Sequence, residues 1–452
     1  MFIHWCAIAF FVISLSSPAL AQQPAVPAAT QIAAQATPPA APAQPIQRPP
    51  VPNRVNELLP SWMRVRGEFR ERVEGVEDLY YLSRFRFNAT ITPARLFSFE
   101  AQAQDARVAR KTVGPTGAPF AGPFDLRMAF ADIGDARSPV LVRLGRQELV
   151  YGEQRLVGHV SWTNAARTFD GARVTIRTPL AAVDVFGTSV VRILDGEFDT
   201  SGNGNRFAGA YATTANLIPR GVVEPFVFWR RDVNLRTETA AVGDLSQMTA
   251  GVRLAGRAPG RLDYGIEMAL QRGSLGTDDV DAWAGHWQLR RSFPGAAALR
   301  LIGEYNYASG DADPADGARG TFDQLYPTGH DKYGLADQIG WKNVRHLRAG
   351  LELTPLTGLP MTASYHSWWL AELRDGVYTA GSAPLARVIA GAASRHVGQE
   401  VDVQVTRALT PQLQLAAGYA HIFTGPFLKE ATPGASYSHP YLMATYVFLA
   451  ER

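Results

Sequence analysis

The sequence predicts an all-β protein: a transmembrane antiparallel β-barrel of about 18 strands, preceded by a disordered Pro/Ala-rich tail. Three observations carry that expectation. Apolar and polar residues alternate from residue 62 to the last residues, the connections between the alternating runs are by turns long and short, and the chain opens on an export signal.

Residues 1–21 read as a secretory signal peptide. A short apolar run from Ile8 to Leu15 precedes Ala19-Leu20-Ala21, a small-x-small cleavage pattern that would start the mature chain at Gln22. The run is short for a spanning anchor, although its leading segment carries no Lys or Arg and only His4. The single cysteine, Cys6, lies inside this signal, so the mature chain is expected to have neither disulfide nor thiol chemistry. Residues 22–53 are nearly pure Ala, Pro and Gln, with Arg48 as their one charge. Such a segment buries too little apolar surface to fold and reads as an extended linker. The barrel is expected over 54–452.

Strand character rests on the period of two. Val401, Val403 and Val405 interleave with Glu400, Asp402, Gln404 and Thr406, and Met63, Val65 and Phe69 interleave with Arg64, Arg66, Glu68, Arg70 and Arg72. Successive strand side chains point to opposite faces, so each run has one apolar and one polar face. With an export signal, the apolar face can meet lipid and the charged face a watery lumen. Starts are expected near 62, 79, 95, 124, 138, 171, 181, 207, 222, 247, 261, 282, 298, 346, 360, 396, 412 and 437. Tight junctions such as Thr178-Pro179-Leu180 and Ala258-Pro259-Gly260 alternate with long polar ones at 108–123, 147–170, 194–206, 232–246, 272–281, 309–345, 371–395 and 424–436. Short periplasmic turns and long external loops sort connections in this way, whereas a β-sandwich has no reason to. Trp62, Tyr80, Tyr81, Trp283, Trp287, Trp368, Trp369 and Tyr446 fall toward strand ends, as interfacial girdles do. The final strand reaches an aromatic, Phe448, four residues before the end.

The formal net charge of +3 gives no reason to expect nucleic acid. The type of cation says more. Of 44 basic residues only Lys111, Lys332, Lys342 and Lys429 are lysines. Guanidinium holds carboxylate or phosphate in a bidentate fork and stays charged in a confined site. A GC-rich genome also favours arginine. By parity, Arg64, Arg66, Arg70, Arg84 and Arg86 of the first two strands are expected to face the lumen, with Val65, Phe69, Phe85 and Phe87 toward lipid.

Two segments concentrate polar chemistry. The first runs from Arg143 through Arg146, Gln147, Glu148, Glu153 and Arg155 to Arg167, Asp170 and Arg173. The second runs from Thr321-Phe322-Asp323-Gln324-Leu325-Tyr326-Pro327 to Gly340-Trp341-Lys342-Asn343 and on to Arg348. Both resemble the alginate-export family of outer-membrane porins, in the stretch from Arg146-Gln147 to Arg173 and in the Phe322–Pro327 block. A weaker likeness covers roughly 60–450. The resemblance implies an 18-stranded barrel whose arginine-lined lumen passes an anionic exopolysaccharide outward. It carries over Arg146, Arg155, Arg167, Asp170 and Arg173 as constriction or loop-anchoring residues. Arg143 and Arg348 join them as pore-lining candidates by position in these segments.

A polyuronate carries one carboxylate per sugar, and arginines lower the barrier to that charge in a narrow pore. Interspersed acids such as Glu68, Glu148, Glu153, Glu267, Glu304 and Glu352 would hold guanidinium groups in place and keep binding weak enough for movement. Equally, such pairs can simply fill and stiffen the interior. No catalytic, metal or cofactor site is expected. Asp311, Asp313 and Asp316 lack calcium-loop spacing, no histidine pair has ligand spacing, and there is no Gly-x-Ser-x-Gly elbow. Expected partners are an anionic polysaccharide or small anions, outer-membrane lipid, and periplasmic export components. The competing functions are a general or phosphate-selective porin and a β-rich periplasmic hydrolase.

Overall fold

The structure is a computed structural model, and it describes residues 54–75, 78–214, 217–237, 241–295 and 297–449. The signal and linker expected over 1–53 lie outside the described residues. After a short helix α1 (Arg54–Leu58), eighteen long antiparallel strands follow. They are β1 (Met63–Glu74), β2 (Tyr80–Ala94), β3 (Phe97–Ala109), β4 (Gly122–Ile133), β5 (Val140–Gln147), β6 (Phe169–Arg177), β7 (Ala181–Arg192), β8 (Arg206–Thr214) and β9 (Gly221–Arg236). The second half holds β10 (Val242–Ala258), β11 (Leu262–Leu275), β12 (Asp278–Ser292), β13 (Arg300–Ala308), β14 (Val344–Leu356), β15 (Leu359–Leu370), β16 (His396–Ala408), β17 (Leu413–Thr424) and β18 (Tyr437–Phe448).

Each strand pairs with its sequence neighbour, and β1 pairs with β18 from Gly67↔Phe448 to Glu74↔Tyr441, which closes the barrel. Closure leaves the sheet no free edge, the condition for spanning lipid with strands. Among the described residues no helix is long and apolar enough to cross a membrane. A closed antiparallel barrel of this kind is the strand architecture that can cross a membrane. Where β18 has ended, the Asn56 side chain takes its place. Its amide bonds both the N–H and the C=O of Val65 at 2.9 Å, so α1 caps the unpaired start of β1. Val65 is buried at this rim rather than set against lipid. Gly67 is required at the seam, because a Cβ there would sit 2.1 Å from the Phe448 ring.

The expected starts agree with the structure to within five residues, the largest gap being 247 against Val242. Two connections expected to be long are short. Strand pairing runs on through most of 232–246, and only Gly276 and Thr277 separate β11 from β12. Polar residues there belong to extended strand ends, whose inner face buries Leu245, Leu275 and Val280.

Parity decides what each face carries. On β1, Phe69 is 41% exposed while Arg70 is 5% exposed. On β9, Trp229 is outward while Phe226 and Phe228 are buried within. Outward apolar residues such as Leu144, Val185, Leu270, Leu289 and Leu347 would be costly in water and are stabilising against lipid.

Candidate functional site

The barrel interior is occupied by two inserted loops, residues 148–168 and 309–343. They dock on each other as a short parallel ladder at Val157 and Tyr326. Gly158 N–H donates to Tyr326 O at 2.8 Å, Tyr326 N–H to Leu156 O at 2.9 Å, and Thr328 N–H to Gln154 O at 2.9 Å. Both loops then bind the wall, by different physics on different sides.

On the β6–β9 side the attachment is apolar. Phe169, Phe186, Phe207, Tyr211, Phe226 and Phe228 face inward and pack on Tyr151 and Tyr326 of the loops. Ring centroids lie 4.7 Å apart for Tyr151–Tyr211 and 4.9 Å for Phe207–Tyr326. The Phe322–Pro327 block is the heart of this contact, with Phe322, Asp323 and Gln324 nearly inaccessible. Asp323 accepts from Arg230 of β9 at 2.6 Å. Burial alone would raise its carboxyl, but Arg230 and Lys342 outweigh that and hold it at about 2.

On the β1–β4 side the attachment is cationic. Arg70 and Arg84 donate to the carbonyl of Ser161, each at 2.9 Å, and Arg72 donates to that of Trp162 at 2.7 Å. The Arg72 guanidinium also lies 3.9 Å above the Trp162 ring, which stacks on His330 at 3.7 Å and meets Tyr441 edge-on at 5.0 Å. Asn164 completes the anchor by donating to three wall and loop carbonyls, those of Ser83, Arg107 and Phe120. Among the described residues Arg70 thus grips neutral oxygens alone, whereas Arg84 and Arg72 each hold a carboxylate as well. Counter-charges are fewer: Glu68 pairs with Arg84 at 2.5 Å, Glu74 with Arg72, and Glu148 with Arg127. Arg86 donates to Gln104 at 2.8 Å, and its buried Nη2 has no hydrogen-bond partner.

On the β10–β16 side the attachment is a polar row. Arg155 of the first loop reaches Glu304 of β13 at 2.9 Å and Tyr333 of the second loop at 3.4 Å. Burial opposes the ionised Glu153 carboxyl, yet Arg155, His286 and Arg253 hold it well below the usual carboxylate range. A directional chain continues along the wall. Asn306 Nδ2 donates to His346 Nδ1 at 2.8 Å, His346 Nε2 lies 2.9 Å from His366 Nδ1, and His366 Nε2 lies 3.0 Å from Asp402. Between this row and the short-turn end lies a cavity of about 290 Å³. Arg290, Lys332, Arg348, Gln288 and Gln404 line it, facing Glu153, Asp331 and Glu352.

The sequence-expected residues fall into distinct places. Arg70, Arg84 and Arg86 lie on the inner wall, whereas Arg64 and Arg66 sit at the short-turn rim, where Arg64 donates to Pro60 O and Arg66 is exposed. Arg143 faces inward in a two-bond pair with Asp132, both bonds at 2.7 Å, and Arg173 lies 3.8 Å from Asp184. Arg155 is 3% exposed, and Arg167 donates to the carbonyls of Gly158 and Pro327. Burial lowers the Arg167 guanidinium to about 10. Arg348 donates to Ser364 and lines the cavity. Arg146 and Asp170 differ. They are cross-strand partners on the face of Leu144 and Ala172, opposite Phe169, so the pair points outward and is covered by Asp199 and Ser201. Density along the sequence grouped them with the inner arginines, and strand parity separates them.

Sequence reasoning left out Arg127, Arg230, Arg253 and Arg290 as well as the histidine row. All lie at inward positions of their strands, so the alternation applied to every strand would have found them. His286, His346 and His366 are far apart in sequence and align only because neighbouring strands bring them level.

Residues 62–441 match the alginate-export family. No curated protein matches the sequence. Solved structures similar in fold include Pseudomonas aeruginosa OpdK (12% identity, TM-score 0.59, covering 85% of this chain and 98% of that one). Pseudomonas aeruginosa OccD3 (OpdP) follows at 10% identity and TM-score 0.60, covering 86% of this chain and 92% of its own. Acinetobacter baumannii OccAB2 is similar at 11% identity and TM-score 0.57, covering 86% and 99%.

Proposed function

The chain belongs to the alginate-export family, and on that premise we propose that it passes an anionic polysaccharide of the polyuronate type outward through the barrel. The observation that carries the reading is the state of the interior cations. Arg70 is held by loop carbonyls, Arg86 has a free Nη2, and Arg290 and Lys332 face the cavity with no carboxylate within ion-pair distance among the described residues. A neutral carbonyl satisfies a guanidinium N–H but leaves its charge uncompensated. A uronate can therefore trade places with a loop carbonyl at little cost, and Gln288 and Gln404 offer bonds to sugar hydroxyls. Interleaved acids keep each contact weak, which transport needs. No catalytic role is assigned to any residue.

A second reading, a channel for small carboxylates, draws on the cavity's size, which suits a single acidic ring. One OpdK structure is described with vanillate. Planar-bilayer recording of the purified barrel separates the two. Polysaccharide transport gives anion preference and current block that deepens with uronate chain length. Equal block by monomeric carboxylates and by oligomers supports the second reading, and cation preference refutes both.

A further inference from the structure

We propose that Arg206 and Arg231 form a clasp for the phosphate of an outer-leaflet glycolipid, whose acyl chain lies along the shallow strip at Gly187 and Ala208. The two arginines are direct cross-strand partners on β8 and β9. Both point outward, since Phe207, Phe226 and Phe228 hold the inner positions. Like charges set directly opposite on a sheet repel. Two other outward arginines at this long-loop end are neutralised: Arg272 pairs with Asp281 at 2.6 Å and Arg107 with Asp105 at 2.8 Å. Among the described residues Arg206 and Arg231 have no carboxylate within ion-pair distance. Arg206 donates only to neutral oxygens, Ser189 Oγ at 3.3 Å and Asn205 O at 3.2 Å.

The site lies at headgroup height. The next outward pair toward the membrane is Trp229↔Ala208, with Trp229 47% exposed as an interfacial aromatic. Beside Ala208 stands Gly187, where a Cβ would meet nothing within 4 Å. A cationic pair thus stands over a shallow strip of a glycine and an alanine, bordered by an indole. A phosphate monoester carries about −1.5 to −2 charges and accepts from two guanidinium forks at once, so one such group relieves the repulsion. Inorganic phosphate shares that chemistry, but has no use for the apolar strip. The inference is independent of what passes through the lumen.

The test is native mass spectrometry of the full-length barrel in detergent with bisphosphorylated lipid A, dephosphorylated lipid A or inorganic phosphate. Bisphosphorylated lipid A should bind the wild type. The double variant Arg206→Gln/Arg231→Gln should lose about tenfold or more in affinity, as expected for two charge-assisted contacts. Arg95→Gln, at the opposite rim, should bind as wild type. Should the double variant fail to fold, Arg231→Gln alone is judged by the same criterion. Equal binding of dephosphorylated lipid A, undiminished binding by the variant, or displacement by equimolar inorganic phosphate would overturn the proposal.

Discussion

Replacing Arg155 by Met tests whether one ion pair bolts the inserted loops to the wall. Arg155 is 3% exposed and its partner Glu304 has a fully buried side chain. Removing one member of a buried pair typically costs about 3–5 kcal/mol, because a charge is left unpaired. Here the low end applies. Glu304 keeps hydrogen bonds from Gln288 at 2.9 Å and Asn306 at 2.8 Å, with Arg348 at 3.7 Å. Glu153 likewise keeps Arg253 at 3.3 Å. A loss of about 3 kcal/mol shifts the docked–undocked equilibrium about 150-fold. The cost falls on the loops, since the barrel ladder does not involve Arg155. Hydrogen exchange at the Gly158 and Tyr326 amides, which close the loop–loop ladder, should therefore accelerate by about that factor, while amides of β11–β14 keep their protection. Adding Glu304→Gln should restore most of the protection, because neither charge of this pair is then left behind without the other. Unchanged exchange in the single variant, or no recovery in the double, would refute the assignment of Arg155 as the bolt.

Three further outcomes follow from the same geometry. Arg86→Glu and Arg290→Glu each change the interior charge by two units at a position without a carboxylate partner, so the chloride-to-potassium permeability ratio should fall, while Arg146→Glu on the outer face should leave it unchanged. Phe69→Arg places a cation on the lipid face at a cost of about 2–4 kcal/mol near mid-bilayer and should reduce the heat-modifiable fraction on a detergent gel, whereas Arg66→Ala at the rim should not. The Asp323–Arg230 pair should fail in acid: an unfolded aspartate titrates near 3.9 and Asp323 in the folded chain at about 2, so its contribution is complete above pH ~4 and lost as pH falls through about 2, read as Trp341 fluorescence on release of the second loop.

The period of two and the turn residues between the runs determined the strands, most of their inner and outer faces and most of the long and short connections. A half-buried strand must repeat every two residues, and a closed barrel must satisfy every backbone group, so local composition carries the information. Phe69 outward and Arg70 inward are legible in that way. What only the tertiary structure decided is what happens inside. Arg146 stands close in sequence to Arg143 and Arg155, yet strand parity turns it outward to Asp170. The 147–170 connection reads as long and polar with loop-anchoring arginines, and only the structure shows what holds it in the lumen: Tyr151 finds Tyr211, Ser161 offers its carbonyl to Arg70, and Arg155 finds Glu304. Those partners lie tens to hundreds of residues away. Their meeting is fixed by barrel closure and register, and no local period in the sequence encodes it.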